Sequence, residues 1–183
     1  MCGRPMAIST SLALYFAERN KGAFANKFMT FSERPELVEV IGETLTDKLR
    51  FISTARWGMN TDIEATFDVL LTAALRSGDI KNIPKVIYII SDMEFDYCTT
   101  GADETAFENA RRKWSTAGLE LPTVVFWNVD ARSNNTPATK FDTNVSLISG
   151  SSQSAFRFAF EGKTPLELMH EVVDSERYQA IKA

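Results

Sequence analysis

The chain has 183 residues, 44% of them hydrophobic and 24% charged, which is typical of a soluble globular protein and is enough for one domain with a substantial core. A formal net charge of -4 disfavours a purely electrostatic nucleic-acid binder, and two cysteines, Cys2 and Cys98, are too few for a disulfide scaffold or a Cys-rich zinc site. Apolar runs are only strand-length and the N-terminus lacks a signal-peptide pattern, so we expect a cytoplasmic protein with no membrane partner.

The first half of the chain predicts three helices and one strand from the spacing of its apolar residues. In chain order these are a helix over 7–18, a strand over 26–32 that leads to a turn at Pro35, and helices over 45–52 and 61–76. The third helix is expected to begin near Asn60 or Thr61, with a polar cap.

The second half of the chain predicts three strands alternating with helices. In order these are a strand over 85–91, a helix over 103–117, strands over 121–129 and 145–149, and helices over 151–162 and 164–173. The runs at 85–91 and 121–129 are apolar throughout, as in parallel strands covered on both faces. The alternation predicts a single α/β domain over 1–183, with a mostly parallel sheet between two layers of helices.

Polar residues follow the predicted strands at the point where each strand ends. Asp92 follows the strand at 85–91, and the other three strands end near Ser32, Asn128 and Ser149. Because ligands bind beyond the carboxyl ends of parallel strands, these residues are expected at one edge, with the Thr61 hydroxyl meeting Asp92. All are oxygen donors, which favours a hard cation such as Mg²⁺, Mn²⁺ or Ca²⁺ over zinc.

Two other interpretations of these acidic residues remain open. Asp92, Glu94 and Asp96 alternate along the chain and could form part of a two-metal site in a Mg²⁺-dependent hydrolase or nuclease. Asp92 could equally be a solvated loop residue that caps a turn, since such residues are common after strands.

Two further features are expected to be structural. His170 is the sole histidine and lies in an amphipathic helix, where an exposed imidazole is the ordinary outcome and a catalytic base is not expected. The "SGSS" at 149–152 could bind a phosphate at the next helix, but a serine-capped turn accounts for it more simply.

Four segments taken together, "FMTFSERP", "WGMNTDIEATF", "KVIYIISDMEFD" and "VVFWNV" with "VSLISGSS", resemble a von Willebrand factor A-like domain. The sequence is most similar to the version in an uncharacterised family related to the Ro/TROVE proteins, over nearly the whole chain. The resemblance implies a Rossmann-like fold with a metal-ion-dependent adhesion site, in which an Asp-x-Ser-x-Ser loop, a Thr and an Asp surround Mg²⁺. By motif Thr61 matches the threonine and Asp92 matches the aspartate. The rim of that site would include Ser32, Asn60, Asp62, Glu94, Asn128 and Ser149.

The sequence departs from this family at its N-terminus, because the Asp-x-Ser-x-Ser loop is absent. "MCGRPMAISTSLALYF" resembles the segment after that loop, which implies an N-terminally truncated domain without its first central strand, between the strands at 26–31 and 85–91. The resemblance implies a non-enzymatic binding module that, when complete, uses Mg²⁺ to bind an acidic side chain of a protein partner. Any contact with RNA would be indirect, through an upstream helical region.

Overall fold

A computed structural model describes residues 3–30, 32, 34–55, 62–92, 102–130, 144–161 and 165–179. Within these residues the helices are α1 (Arg4–Ala17), α2 (Leu45–Ser53), α3 (Ile63–Ser77), α4 (Ala102–Thr116), α5 (Gln153–Glu161) and α6 (Pro165–Val173). The strands are β1 (Lys27–Met29), β2 (Leu37–Glu39), β3 (Val86–Ser91), β4 (Thr123–Asn128) and β5 (Val145–Ser149).

The described strands form two sheets. β3, β4 and β5 are parallel and adjacent in that order, whereas β1 and β2 form an antiparallel pair in which Phe28 is opposite Val38. The mixed α/β class and the parallel pairing are therefore confirmed. The prediction of one mostly parallel sheet differs from the described strands in two respects: β2 was missed, because three residues are too short for a pattern, and β1 does not pair with β3.

One face of the parallel sheet packs against α3 and α4. Val124 and Phe126 of β4 lie in one buried cluster with Ile89 of β3, Phe67 of α3 and Trp114 of α4. Alternate residues of a strand point to opposite faces, so β4 presents its remaining apolar side chains to the other side of the sheet.

The opposite face packs against α1 and α5. Trp127 of β4 is buried with Phe16 of α1 and Phe156 of α5, and the Phe16 ring stacks on Tyr88 of β3 with centroids 4.3 Å apart. The Tyr88 hydroxyl donates a hydrogen bond of 3.0 Å to the carbonyl oxygen of Ala159, which fastens α5 to the sheet. A continuous apolar strand is needed here because both faces of β4 are buried.

Helix α1 connects the two sheets. It packs against β1 and α2 on one side and against β3 on the other. Leu14 and Ala17 of α1 form a buried cluster with Phe28 of β1 and Ile52 of α2. The hairpin is thus held beside the parallel sheet by a helix that contacts both.

Side-chain caps determine where several helices begin. Thr44 and Asp47 form a reciprocal capping box at α2, and the Asp62 carboxylate accepts a hydrogen bond of 2.8 Å from the Ala65 backbone N–H. The predicted start of α3 near Asn60 or Thr61 was therefore early, because Asp62 is the cap and Ile63 is the first helical residue. In the part of the chain that the structure describes, no helix combines the length and apolar character needed to cross a membrane.

Candidate functional site at the carboxyl edge of the parallel sheet

The strand register places three of the predicted site residues at successive strand ends. Ser91, the last residue of β3, is opposite Asn128 of β4, and Asn128 is opposite Ser149 of β5. Asp92 follows Ser91 directly and is 9% exposed. The carboxyl edge therefore carries the side chains of Asp92, Asn128 and Ser149 on three adjacent strands.

Backbone hydrogen bonds continue the strand pairing beyond these residues. The Val129 N–H donates to the Ser91 carbonyl at 3.0 Å, and the Gly150 N–H donates to the Asn128 carbonyl at 2.8 Å. The Trp127 indole N–H donates to the Gly150 carbonyl at 2.8 Å, which ties the turn after β5 to a buried ring. Gly150 has φ of 112°, a conformation that disfavours other residues there.

The Asn128 amide is held in one orientation. Its Oδ1 accepts a hydrogen bond of 3.1 Å from the Asp130 backbone N–H. Because a backbone N–H can only donate, the oxygen of the amide must face it, and the NH₂ group points away.

A contact between Ser32 and Asp62 brings the beginning of α3 beside the segment that follows β1. The Asp62 backbone N–H donates to the Ser32 carbonyl at 3.4 Å, and Ser32, which is buried, donates its hydroxyl to the Arg34 carbonyl at 2.9 Å. Two of the predicted rim residues are therefore neighbours although they lie thirty positions apart in the sequence.

Several predicted site residues lie outside the described part of the chain. These are Thr61, Asn60 and Glu94, together with Asp96 of the alternative acidic cluster. The predicted approach of the Thr61 hydroxyl to the Asp92 carboxylate therefore stays a prediction.

The described donors at the carboxyl edge are oxygens, as a hard cation requires. They include the carboxylates of Asp92 and Asp130, the Asn128 amide and the Ser149 hydroxyl. Within the described ranges, however, no group of three or more His, Cys, Asp or Glu side chains is arranged to hold a metal ion. Mg²⁺ demands near-ideal octahedral coordination, so these residues do not by themselves amount to a complete magnesium site.

The exposed histidine and the serine cap that the sequence predicts are both observed. His170 is exposed, and its Nδ1 lies 3.0 Å from an Asp174 carboxylate oxygen one helical turn away. The Ser152 hydroxyl accepts a hydrogen bond of 3.2 Å from the Ala155 N–H, so the "SGSS" segment ends in an ordinary serine cap for α5.

An ion-pair cluster between α3 and α4 was not foreseen from the sequence. Lys113 Nζ lies 2.7 Å from Asp68 and 3.0 Å from Glu64, and hydrogen bonds to Asp68 and then Glu64 raise the pKa of Lys113. Nothing in the local sequence could reveal this pairing, because Lys113 lies more than forty residues from both Asp68 and Glu64 along the chain.

An open cleft is lined by residues of α3, β1 and β2. Its volume is about 750 Å³, and charged side chains of Lys27, Asp68 and Arg76 line it together with apolar groups. The lining includes none of the predicted metal-site or rim residues, so the cleft does not help to locate that site.

Comparison with known proteins gives a family without an assigned activity. The model of a domain of unknown function, DUF7788, matches residues 2–182. An uncharacterized protein of Acanthamoeba polyphaga mimivirus is 28% identical over 179 residues, which is 95% of this chain and 31% of the viral protein. The chain thus spans about a third of the length of that relative. No solved structure matches. Because the family model covers nearly the whole chain, the protein belongs to the DUF7788 family of domains of unknown function.

Proposed function

We propose that the protein is a von Willebrand factor A-like binding module that, with a complete metal site, uses Mg²⁺ to bind an acidic side chain of a protein partner. The observation that supports this most is that Asp92 directly follows the end of β3, while Asn128 and Ser149 end the adjacent strands β4 and β5. A metal ion and one carboxylate make a directional, charge-assisted contact, which suits reversible association.

The same proposal gives the fold three layers and one additional strand. Helices α1 and α5 contact one face of the described sheet and α3 and α4 contact the other. A parallel strand between β1 and β3 would join the two sheets, and α1, which packs against both, would cover it. In the proposed domain this strand ends in the Asp-x-Ser-x-Ser loop, at the same edge as Asp92.

Within this proposal Thr61 and Asp92 are metal ligands, and the remaining residues form the rim that meets the partner. The rim consists of Ser32, Asn60, Asp62, Glu94, Asn128 and Ser149. The contact between Asp62 and Ser32 supports the grouping, since it holds the residue after Thr61 close to the end of β1. A cytoplasmic location, and a link to RNA made only through another region of a longer protein, belong to the same proposal.

Calorimetric titration with Mg²⁺ tests the proposal. We expect weak or undetectable binding to this chain and tight single-site binding to a form extended upstream to include an Asp-x-Ser-x-Ser segment, with Asp92→Ala abolishing the tight binding. Phosphatase or nuclease turnover by this chain that is lost in Asp92→Ala would overturn the proposal and favour a hydrolase built on Asp92, Glu94 and Asp96.

A further inference from the structure

The open cleft beside α3 runs along one side of that helix. Its lining residues from α3 recur every three or four positions, as neighbours on one helix face do, and include Ala65, Asp68, Val69, Thr72, Ala73 and Arg76. At a rise of 1.5 Å per residue this side of the helix is about 16 Å long. Ala23, Lys27 and Leu37, from the turn before β1 and from the hairpin, complete the lining. The cleft therefore has the length of about five residues of extended chain.

The charges in the cleft are positive on balance. Among the described lining residues the single carboxylate is that of Asp68, and Lys113 Nζ neutralises it at 2.9 Å and 2.7 Å from its two oxygens. Lys27 donates a hydrogen bond of 2.8 Å to the Ala23 carbonyl, which carries no charge to balance the ammonium group. In the described part of the chain the Arg76 guanidinium has neither an ion pair nor a hydrogen bond. The lining thus offers two cations that an anionic ligand can pair with.

Further cations border the cleft at the end of α3. Gly22, which follows Lys21, packs closely on the turn at Ile80–Asn82, so that a Cβ atom at Gly22 would lie 2.7 Å from Asn82 Cβ. This contact brings the backbone of Lys21 beside that of Lys81, and α3 contacts both turns. Both lysines are exposed, and within the described ranges their side chains have no ion pair or hydrogen bond.

The two segments that meet there hold much of the positive charge of the chain. Residues 21–27 and 76–85 contain five of the 20 Lys and Arg residues and one of the 24 Asp and Glu residues. That one, Asp79, accepts hydrogen bonds of 3.1 Å and 2.9 Å from the Asn82 amide. Lys85 alternates with Ile87 and so falls on the sheet face that packs against α3. A basic surface in an otherwise acidic chain attracts an anionic partner.

We infer that the cleft beside α3 binds a short acidic segment of a protein partner, and that it does so without a metal ion. Carboxylates of the segment pair with Arg76 and the neighbouring lysines, while an apolar side chain of the segment contacts Leu37 and Val69. The lining includes none of the residues proposed for the metal site, so the inference does not depend on that site.

The lining favours a peptide over a nucleic acid. Single-stranded nucleic acid binds largely by stacking its bases on aromatic side chains, and the described lining contains none. A duplex offers phosphates over a long footprint, whereas the chain beyond these two segments is acidic. An acidic peptide supplies negative charge together with apolar side chains that suit Ala65, Val69 and Leu37.

Fluorescence anisotropy with a designed peptide tests the inference. A labelled peptide of about eight residues, made of glutamate with leucine at two central positions, is titrated with the chain in excess EDTA. We expect saturable binding that persists in EDTA and weakens as salt is raised, because ionic contacts contribute to it. A peptide with glutamine in place of glutamate, and a peptide of glutamate alone, should each bind at least about threefold more weakly.

A double variant in the basic surface and a matched control locate the binding. Arg76→Gln with Lys81→Gln should weaken binding of the glutamate and leucine peptide by about threefold to tenfold, as the loss of two solvent-exposed ionic contacts does. Arg112→Gln with Arg177→Gln removes the same charge outside the cleft lining and should leave the affinity unchanged. All four side chains are exposed, so both double variants should melt at nearly the parent temperature.

Several results would each overturn the inference. One is the lack of saturable binding of the glutamate and leucine peptide, or equally tight binding of either control peptide. Another is unchanged affinity in the variant of Arg76 and Lys81, or an equal loss in the control variant, which would reflect net charge alone. Binding that EDTA abolishes would place the peptide at a metal site instead. An oligonucleotide or anionic lipid vesicle that binds more tightly than the peptide, through Arg76 and Lys81, would make phosphate groups the ligand.

Discussion

The N-terminal cap of α3 should contribute measurably to stability, and it adjoins the proposed metal ligand Thr61. Replacing Asp62 with Ala removes the acceptor for the Ala65 N–H, a bond of 2.8 Å, at a cost of about 1 kcal/mol. The lost negative charge at a helix N-terminus adds roughly 0.3 to 1 kcal/mol. We therefore expect Asp62→Ala to lower the free energy of unfolding by about 1 to 2 kcal/mol.

The Asp62→Asn variant separates the two contributions. Its side-chain oxygen can still accept from Ala65, so only the charge is lost, and the cost should be no more than about 1 kcal/mol. The backbone hydrogen bond from Asp62 to Ser32 is available in both variants. Urea denaturation followed by circular dichroism measures the difference, and in a chain of this length each kcal/mol lowers the melting temperature by roughly 2 to 4 °C.

The reasoning fails if Asp62→Ala is as stable as the parent chain, since the hydrogen bond to Ala65 would then contribute nothing. It also fails if Asp62→Asn loses as much stability as Asp62→Ala. In that case the charge rather than the cap would be responsible.

Three other changes test the packing around the sheet. Tyr88→Phe should lower the free energy of unfolding by about 0.5 to 1.5 kcal/mol, because the hydrogen bond to the Ala159 carbonyl is lost. Burial raises the pKa of Tyr88 above its ordinary 10.0, so the parent chain should lose stability as the pH rises past 10. In alkaline denaturation the Tyr88→Phe variant should lose less stability over the same pH range than the parent does. Lys113→Met should lower the free energy of unfolding by no more than about 1 kcal/mol, because the Lys113 side chain is 39% exposed and solvent screens its ion pairs. In urea denaturation, high salt should reduce the difference in unfolding free energy between parent and variant, and a difference that salt does not reduce would count against an ionic contribution. Phe67→Ala should lower the free energy of unfolding by about 3 to 5 kcal/mol, because Phe67 is 1% exposed. Leu75→Ala on the same helix should lower it by less than about 1 kcal/mol, because Leu75 is 55% exposed. Equal losses of stability in thermal melts of the two variants would contradict the assigned core.

The order and type of most elements could be predicted because each carries its own periodic signal. The strand predicted over 145–149 coincides with β5, and the helix predicted over 45–52 ends one residue before α2 does. Continuous apolar runs identified β3 and β4, since a strand covered on both faces has no polar position to interrupt it. The Trp114 and Trp127 side chains are each 1% exposed.

Short or non-local features could not be predicted in this way. β2 has three residues, too few for a repeating pattern, and it exists because its partner β1 supplies the hydrogen bonds. The exposed side of α6 has the same periodicity as a buried helix, so the sequence alone indicates a core-facing helix, whereas the structure leaves that side in solvent.

For the candidate site, the sequence by itself determined the residue types: oxygen-bearing side chains placed where strands end, and no histidine or thiol among them. Only the tertiary structure decided which of them are neighbours. Strand register aligns Ser91, Asn128 and Ser149 and so places Asp92, the next residue after Ser91, at the same edge, and a backbone hydrogen bond joins Asp62 to Ser32. The physical reason is that periodicity records the local environment of each residue, whereas register and hydrogen bonds between elements depend on how distant segments pack around a shared core.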